Sequence, residues 1–220
     1  TGGGDADLYR HVYLDGARNL LGRFPTSAVL FTSSTSVYAQ TGGEWVTEQS
    51  AAQPTHESGK ILREAEQLML DHGGLVVRLA GIYGPGRSHL LRRFLSGEAM
   101  IDSKNDRFVN QIHRDDAAAA LFLLLDRQPR NNRGSRSRSE SSAGEIYNVV
   151  DDQPIVQSEC YRWLAAKMNR AVPPVGRSTS NRKRGESNKR VSNAKLRGLG
   201  WAPRYSTFAE GMEKSVLPSL

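Results

Sequence analysis

The sequence predicts an α/β fold in which parallel strands are covered by helices on their faces. Two short apolar runs rich in β-branched residues, 28–32 and 75–79, each follow a segment of helical periodicity, and a third such run, 146–150, occurs late in the chain. The order helix–strand–helix–strand over the first 80 residues is the crossover rhythm of parallel strands joined through helices.

Each element has its own signal. Residues 5–23 read as a helix because Leu8, Val12, Gly16 and Leu20 recur at i, i+4 on one face, and Pro25 ends it. The strand at 28–32 stops at the hydroxyl cluster Thr32-Ser-Ser-Thr-Ser36. Thr41-Gly-Gly43 and Gln53-Pro-Thr55 are loop signals. Residues 59–72 form a second helix with Ile61, Leu62, Ala65, Leu68 and Met69 on one side, closed by Gly73 and Gly74. After the strand at 75–79 come a sharp loop at 82–86, a short helix at 90–97 and an alanine-rich helix at 115–126 that is expected to be buried. The strand at 146–150 precedes a helix at 157–169 with Tyr161, Leu164 and Met168 inward. Thr207 and Glu210 have capping-box spacing for a last helix. Residues 128–143, rich in Arg, Ser and Asn, read as a disordered insertion.

Composition narrows the function classes. Hydrophobic residues make up 38% of the 220, enough for a core, and no apolar run is long enough to span a bilayer. The N-terminus has neither a signal-peptide pattern nor an initiator Met, which points to a fragment or a processed product. Cys160 is the one cysteine, so no internal disulfide can form and a reducing, cytoplasmic setting is expected. The net charge of +7 is concentrated in residues 127–140 and 176–204, which together carry +12 on an otherwise mildly acidic body. Both segments read as solvated loops ahead of a polyanion or RNA site. The five His and one Cys lack metal-ligand spacing, and there is no Gly-x-Ser-x-Gly turn, so neither a metal site nor that type of serine hydrolase is indicated.

The motifs, taken in order, carry a resemblance. Residues 31–38 (Phe-Thr-Ser-Ser-Thr-Ser-Val-Tyr) end the first strand, and Val46-Thr-Glu48 and Pro54 follow. Next come Gly59 with Glu64-Ala-Glu66, Arg78-Leu-Ala-Gly-Ile-Tyr-Gly-Pro-Gly86 and Asn110-Gln-Ile-His-Arg-Asp-Asp116. Gly144-Glu-Ile-Tyr-Asn148 and Leu196-Arg-Gly-Leu-Gly-Trp201 with Pro203 complete the series. This series resembles the extended short-chain dehydrogenase/reductase proteins, the NAD(P)-dependent epimerase/dehydratase group. The resemblance implies an incomplete Rossmann-type parallel sheet with a small C-terminal substrate lobe. Residues 1–83 would be the C-terminal half of the dinucleotide-binding domain. Residues 84–220 would be mainly the substrate lobe, with 144–150 returning to the sheet.

The resemblance also implies site residues. Ligands of open α/β sheets bind at the carboxyl edge of the strands, which places Ser34, Ser58 and Tyr38 as catalytic candidates. Thr32, Ser33, Arg78, Ala80, Gly81 and Ile82 fall on the cofactor side. Tyr83, Arg87, Arg92, Asn110 and His113 fall on the substrate side, with Arg93 beside them. Asp115 and Asp116 are expected to be structural or helix-capping, and 181–184 could reach an anionic ligand.

Departures from the pattern bear on activity. The family's Tyr and Lys, which together form its proton relay, are matched by Ser58 and Leu62, and an ordering Asn is matched by Tyr13. Lys60 is expected on another helix face, and His56, Tyr38 and Tyr83 are the candidate replacement proton carriers. Gly2-Gly-Gly4 does not follow a strand and is not the phosphate-binding turn of the family. The chain is thus expected to be N-terminally truncated, with NAD or NADP belonging to the full-length parent and not held tightly by this fragment. The leading expectation is an epimerase/dehydratase-like protein acting on a sugar nucleotide or related small carbonyl compound, perturbed at its active site and able to form a homodimer. A non-catalytic NAD(P)-binding sensor or scaffold and a polyanion- or RNA-binding protein are the alternatives.

Overall fold

The computed structural model describes residues 6–102, 106–128, 144–176 and 187–220. Residues 129–143 of the expected insertion at 128–143, Gly2-Gly-Gly4 and the basic residues 181–184 lie outside the described residues.

Helix α1 runs as Ala6–Tyr9, passes through a π-helical stretch Arg10–Asp15 and ends as Gly16–Arg23. Strand β1 (Leu30–Ser34), the short β2 (Trp45–Val46), helix α2 (Glu57–Asp71), β3 (Leu75–Leu79) and β4 (Gly81–Tyr83) follow. Then come α3 (His89–Leu95), β5 (Phe108–Val109), β6 (Gln111–His113) and α4 (Arg114–Asp126). The chain continues through β7 (Glu145–Val149), β8 (Ile155–Val156), α5 (Gln157–Lys167), β9 (Arg190–Val191), α6 (Ala194–Arg197) and α7 (Phe208–Gly211).

The fold is α/β, with an open parallel sheet of order β1-β3-β7 as an incomplete Rossmann-type core. Smaller pairs, β2 with β9, β4 with β6 and the antiparallel β5 with β8, extend it. The register sets Ser33 beside Arg78 and Arg78 beside Asn148, a polar row across all three strands. Successive strand residues face opposite sides, so Phe31, Val76 and Ile146 share a face with that row. They pack there with Ala17 and Leu21 of α1 and Met69 of α2. Val77, Tyr147 and Val149 face the other way, onto Ala117, Ala120 and Leu124 of α4. A second apolar core joins α3, α5 and α7 through Leu91, Phe94, Tyr161, Leu164 and Phe208. Each such side chain contributes roughly 1.5–3 kcal/mol by leaving water.

Among the described residues, the outer edge of β7 is met by side chains rather than a strand. Asn148 N donates to Glu48 Oε1 at 2.8 Å, and Lys195 Nζ donates to the Ile146 carbonyl at 2.9 Å.

Three sequence expectations need correction. The predicted inner face of α1 points outward: Leu8, Val12 and Leu20 are 50%, 45% and 42% exposed, while Leu14, Ala17 and Leu21 are buried. The π-helical stretch changes the residues per turn, so an i, i+4 count carried through it tracks the wrong stripe. Strand β1 lies two residues later than the apolar run suggests, because pairing with Leu75–Leu79 draws Ser33 and Ser34 into the ladder. Helix α4 is only half-buried, with Phe122 at 71% exposure, since a helix lying on one sheet face hides one stripe. The strand at 75–79 falls where predicted, and Gly73 takes the left-handed φ of +66° that ends α2.

Candidate functional site

The carboxyl ends of β1 and β3 open onto a cleft of about 190 Å³. Its walls come from Ser34 and the turn after β1, from Ala80 and Gly81 between β3 and β4, from Arg107 through Asn110 around β5, and from Ser187 and Lys189 just before β9. Ser34 reaches the cleft because the pleat sends its neighbour Ser33 the other way. The Ser34 hydroxyl accepts a 3.1 Å hydrogen bond from Ser36 N, which caps the short turn Thr35–Val37 and fixes the oxygen. Asn110 clamps the far wall, donating to the Lys189 carbonyl at 2.9 Å and accepting from Val191 N at 2.7 Å. A larger, open groove lies beside β7, but Glu48 and Lys195 in its wall are committed to β7 backbone groups.

Behind the strands the polar row forms a closed network. Arg78 is buried and meets Glu66 of α2 in a bidentate pair, Nε to Oε1 at 3.0 Å and Nη2 to Oε2 at 2.8 Å. Its remaining arm donates to Tyr38 Oη at 2.8 Å. Tyr38 donates toward Asn148 Oδ1 and the Thr47 carbonyl, both at 2.9 Å, and Ser33 donates to Glu66 Oε1 at 2.6 Å. Arg63 approaches Glu66 from the surface. Burial alone would lower the Arg78 pKa, but the hydrogen bonds and charge of Glu66 offset it and hold the guanidinium above its ordinary value. Burial raises the Tyr38 phenol above its usual range despite Arg78.

This network engages several residues of the expected site. Tyr38, read as a catalytic candidate, is fully buried and its oxygen is saturated by structural partners. Ser33 and Arg78, read as cofactor-binding, hold strands to α2 instead. Thr32 sits exposed on β1, and Ile82 packs against the main core. Of the expected cofactor residues, Ala80 and Gly81 line the cleft.

Ser58 lies in the first turn of α2, its hydroxyl 3.1 Å from His56 Nδ1, and does not line the cleft. His56 caps α2 by accepting from Gly59 N at 2.9 Å. A Cβ on Gly59 would come within 2.5 Å of Pro54, so this helix entry admits only glycine. Leu62 is buried, and Lys60 is an exposed partner of Glu57.

On the expected substrate side, Asn110 lines the cleft and the others do not. Tyr83 is buried in the second core, edge-on to His113, with its hydroxyl 3.4 Å from the Thr207 carbonyl. Burial drives its pKa upward, with the carboxylates of Asp151 and Asp116 adding to the shift. His113 is buried, caps α4 through Asp115 N and meets Ser215 Oγ at 3.0 Å; burial lowers its pKa. Arg87 and Arg92 are exposed, and Arg93 donates to the Glu98 carbonyl at 2.7 Å. Asp116 is structural, accepting from Arg204 N and Tyr205 N.

Sequence reasoning missed Lys189 and Arg107 in the cleft wall, and Glu66 and Asn148 in the network. Lys189 stood inside a basic run, where one buried lysine looks like its solvated neighbours. Among the described residues no group of three or more His, Cys, Asp or Glu is placed to hold a metal ion, and no helix is long and apolar enough to cross a membrane.

No family model matches the sequence, and no curated protein matches it. Solved structures do. A structure from Methylobacillus flagellatus, assigned as an NAD-dependent epimerase/dehydratase, is 32% identical with a TM-score of 0.75, covering 97% of this chain and 73% of its own. A conserved protein of unknown function from Silicibacter pomeroyi is 28% identical with a TM-score of 0.69, covering 84% of this chain and 64% of its own. The dTDP-glucose 4,6-dehydratase of Bacillus anthracis, in complex with NAD, shares the fold at 17% identity and a TM-score of 0.70, with 90% and 63% covered. The chain thus spans less than two thirds of the length of two of these three relatives. With 32% identity over nearly its whole length and a TM-score of 0.75, the chain belongs to the NAD-dependent epimerase/dehydratase family.

Proposed function

We propose that this chain supplies the substrate side of an NAD(P)-dependent epimerase/dehydratase-type protein that acts on a sugar nucleotide or a related small carbonyl compound. The observation that carries this reading is Ser34, held at the carboxyl edge of the sheet in the wall of a cleft. There its hydroxyl can donate to the reacting oxygen of a substrate. The dinucleotide does not fit the described residues. Ser33 and Arg78, the polar side chains expected on the cofactor side, are spent on Glu66. No step is therefore assigned through it. In this reading residues 1–83 correspond to the C-terminal half of a dinucleotide-binding domain and 84–220 are mainly the substrate lobe, with 144–150 in the sheet.

The Ser58 and Leu62 positions favour a second reading, a non-catalytic relative. Without a phenol and lysine, no described pair beside Ser34 matches the family relay. Titration of the chain with UDP-glucose, followed by protein NMR, tests the first reading. Shifts are expected around Ser34, Gly81 and Asn110, and binding should weaken in Ser34→Ala. Absence of binding by any of a panel of sugar nucleotides and small hydroxy-carbonyl compounds would overturn it. Fluorescence titration with NADH and NADPH is expected to show no micromolar binding. Micromolar binding without turnover would establish the sensor reading.

A further inference from the structure

The cleft holds a cation that the proposed function does not use. Lys189 is 6% exposed. Its main chain is pinned by Asn110, and Asn188 N beside it donates to the Gln40 carbonyl at 2.8 Å. The Lys189 ammonium donates to the Tyr38 carbonyl at 2.9 Å and to Ser187 Oγ at 3.0 Å. Both acceptors are neutral. An ammonium has three protons to donate, so one is left for the cleft. Among the described residues no carboxylate pairs with it. Arg107 lines the same cleft and adds a second positive charge. Burial, with Arg107 behind it, brings the Lys189 amine down to about 8.

A cation removed from water without a counter-ion is costly, and proteins place such groups against an anion or a metal-free polar site that an anion completes. Arg107, only partly buried on the same wall, adds its positive field to that of Lys189. We propose that Lys189 and Arg107 form an oxyanion subsite beside Ser34, so that the reacting end of the substrate carries a carboxylate or a phosphate. This deepens the proposed function and rests on its assignment of the strand-end cleft to the substrate. The anion accepts the third Lys189 proton, and the Ser34 hydroxyl meets the neighbouring substrate oxygen. A cleft of about 190 Å³ is roughly six water volumes. That is room for a short hydroxy acid, one phosphate group or the reacting end of a longer substrate whose remainder extends out of the cleft.

The test uses the intact chain with inorganic phosphate and with lactate, each at constant ionic strength against chloride. Acetic anhydride labelling of individual lysines is read by mass spectrometry, and thermal unfolding is followed in parallel. At an anion concentration about ten times its Kd, Lys189 labelling should fall about tenfold, with exposed Lys60 unchanged as the internal reference. Tm should rise saturably. Protection by phosphate alone identifies a phosphate group, and protection by lactate alone identifies a carboxylate. The Tm response should vanish in Lys189→Met and persist in part in Lys189→Arg. The proposal is overturned if neither anion protects Lys189 in the wild type, or if the Tm response survives in Lys189→Met. Neither readout needs a sugar nucleotide or NADH, so a null result here leaves the proposed function standing, and loss of sugar-nucleotide binding leaves this subsite standing.

Discussion

Arg78 and Lys189 are both buried cations, within a short distance of Tyr38, and their surroundings differ. Arg78 has a carboxylate in bidentate contact and a phenol on its third arm. Lys189 has a carbonyl and a hydroxyl. The first arrangement is complete and ties β1, β3, β7 and α2 together. The second is incomplete and opens on a cleft. Burial of charge alone therefore does not mark a binding site; burial without a counter-charge, next to open space, does.

Breaking the complete arrangement should cost most. Arg78→Met leaves the Glu66 carboxylate buried without its main partner, and a loss of about 3–5 kcal/mol is expected in urea unfolding. The double variant Arg78→Met with Glu66→Leu should lose less than Arg78→Met alone, because no orphaned charge remains. An equal or greater loss would show that the pair is not acting as a unit.

The incomplete arrangement should respond in the opposite sense. The Lys189 pKa is lowered from 10.5 to about 8 on folding, so between those values the unfolded chain binds more protons than the folded one. Wild-type stability should rise with pH through that window, by up to roughly 3 kcal/mol. Lys189→Met should lack the rise. Near pH 7 it should be more stable than wild type by about 1 kcal/mol, after the loss of two hydrogen bonds worth about 1 kcal/mol each. Parallel curves for the two proteins between pH 8 and 10 would dissolve the contrast with Arg78.

Two smaller effects sharpen the boundary between the regions. Tyr38→Phe removes one hydroxyl from the network and should cost about 1–2 kcal/mol. It should leave the anion response intact, since Lys189 uses only the Tyr38 carbonyl. Ser34→Ala removes one turn-capping acceptor and should change stability by no more than about 1 kcal/mol, while weakening ligand binding.

The sequence made different parts of this comparison legible to different degrees. Strand β3 was readable because a continuous apolar run stops against Gly73 and Gly74, a purely local signal. The ordered motifs from Phe31 to Pro203 located the carboxyl edge and Ser34. The roles of Ser33 and Arg78 were not readable. Their motif positions are shared with a ligand-binding edge, and only the register with Asn148 and the arrival of Glu66 turn them into a strand-to-helix tie. The face of α1 was misread because a periodicity count assumes one helix type throughout. Lys189 was hidden for a related reason: charge counts register how many cations a segment carries, and say nothing of which one folds inward.

The side chains along β7 bear on how copies of this protein can associate. Exposed strand edges template aggregation by pairing with edges of other molecules. Beyond β7, an incoming strand would have to displace the Lys195 ammonium from the Ile146 carbonyl and the Glu48 carboxylate from the Asn148 amide. Those two side chains thus blunt this edge against pairing with another molecule. Replacing both by alanine should make that edge available for pairing, read as increased light scattering on standing.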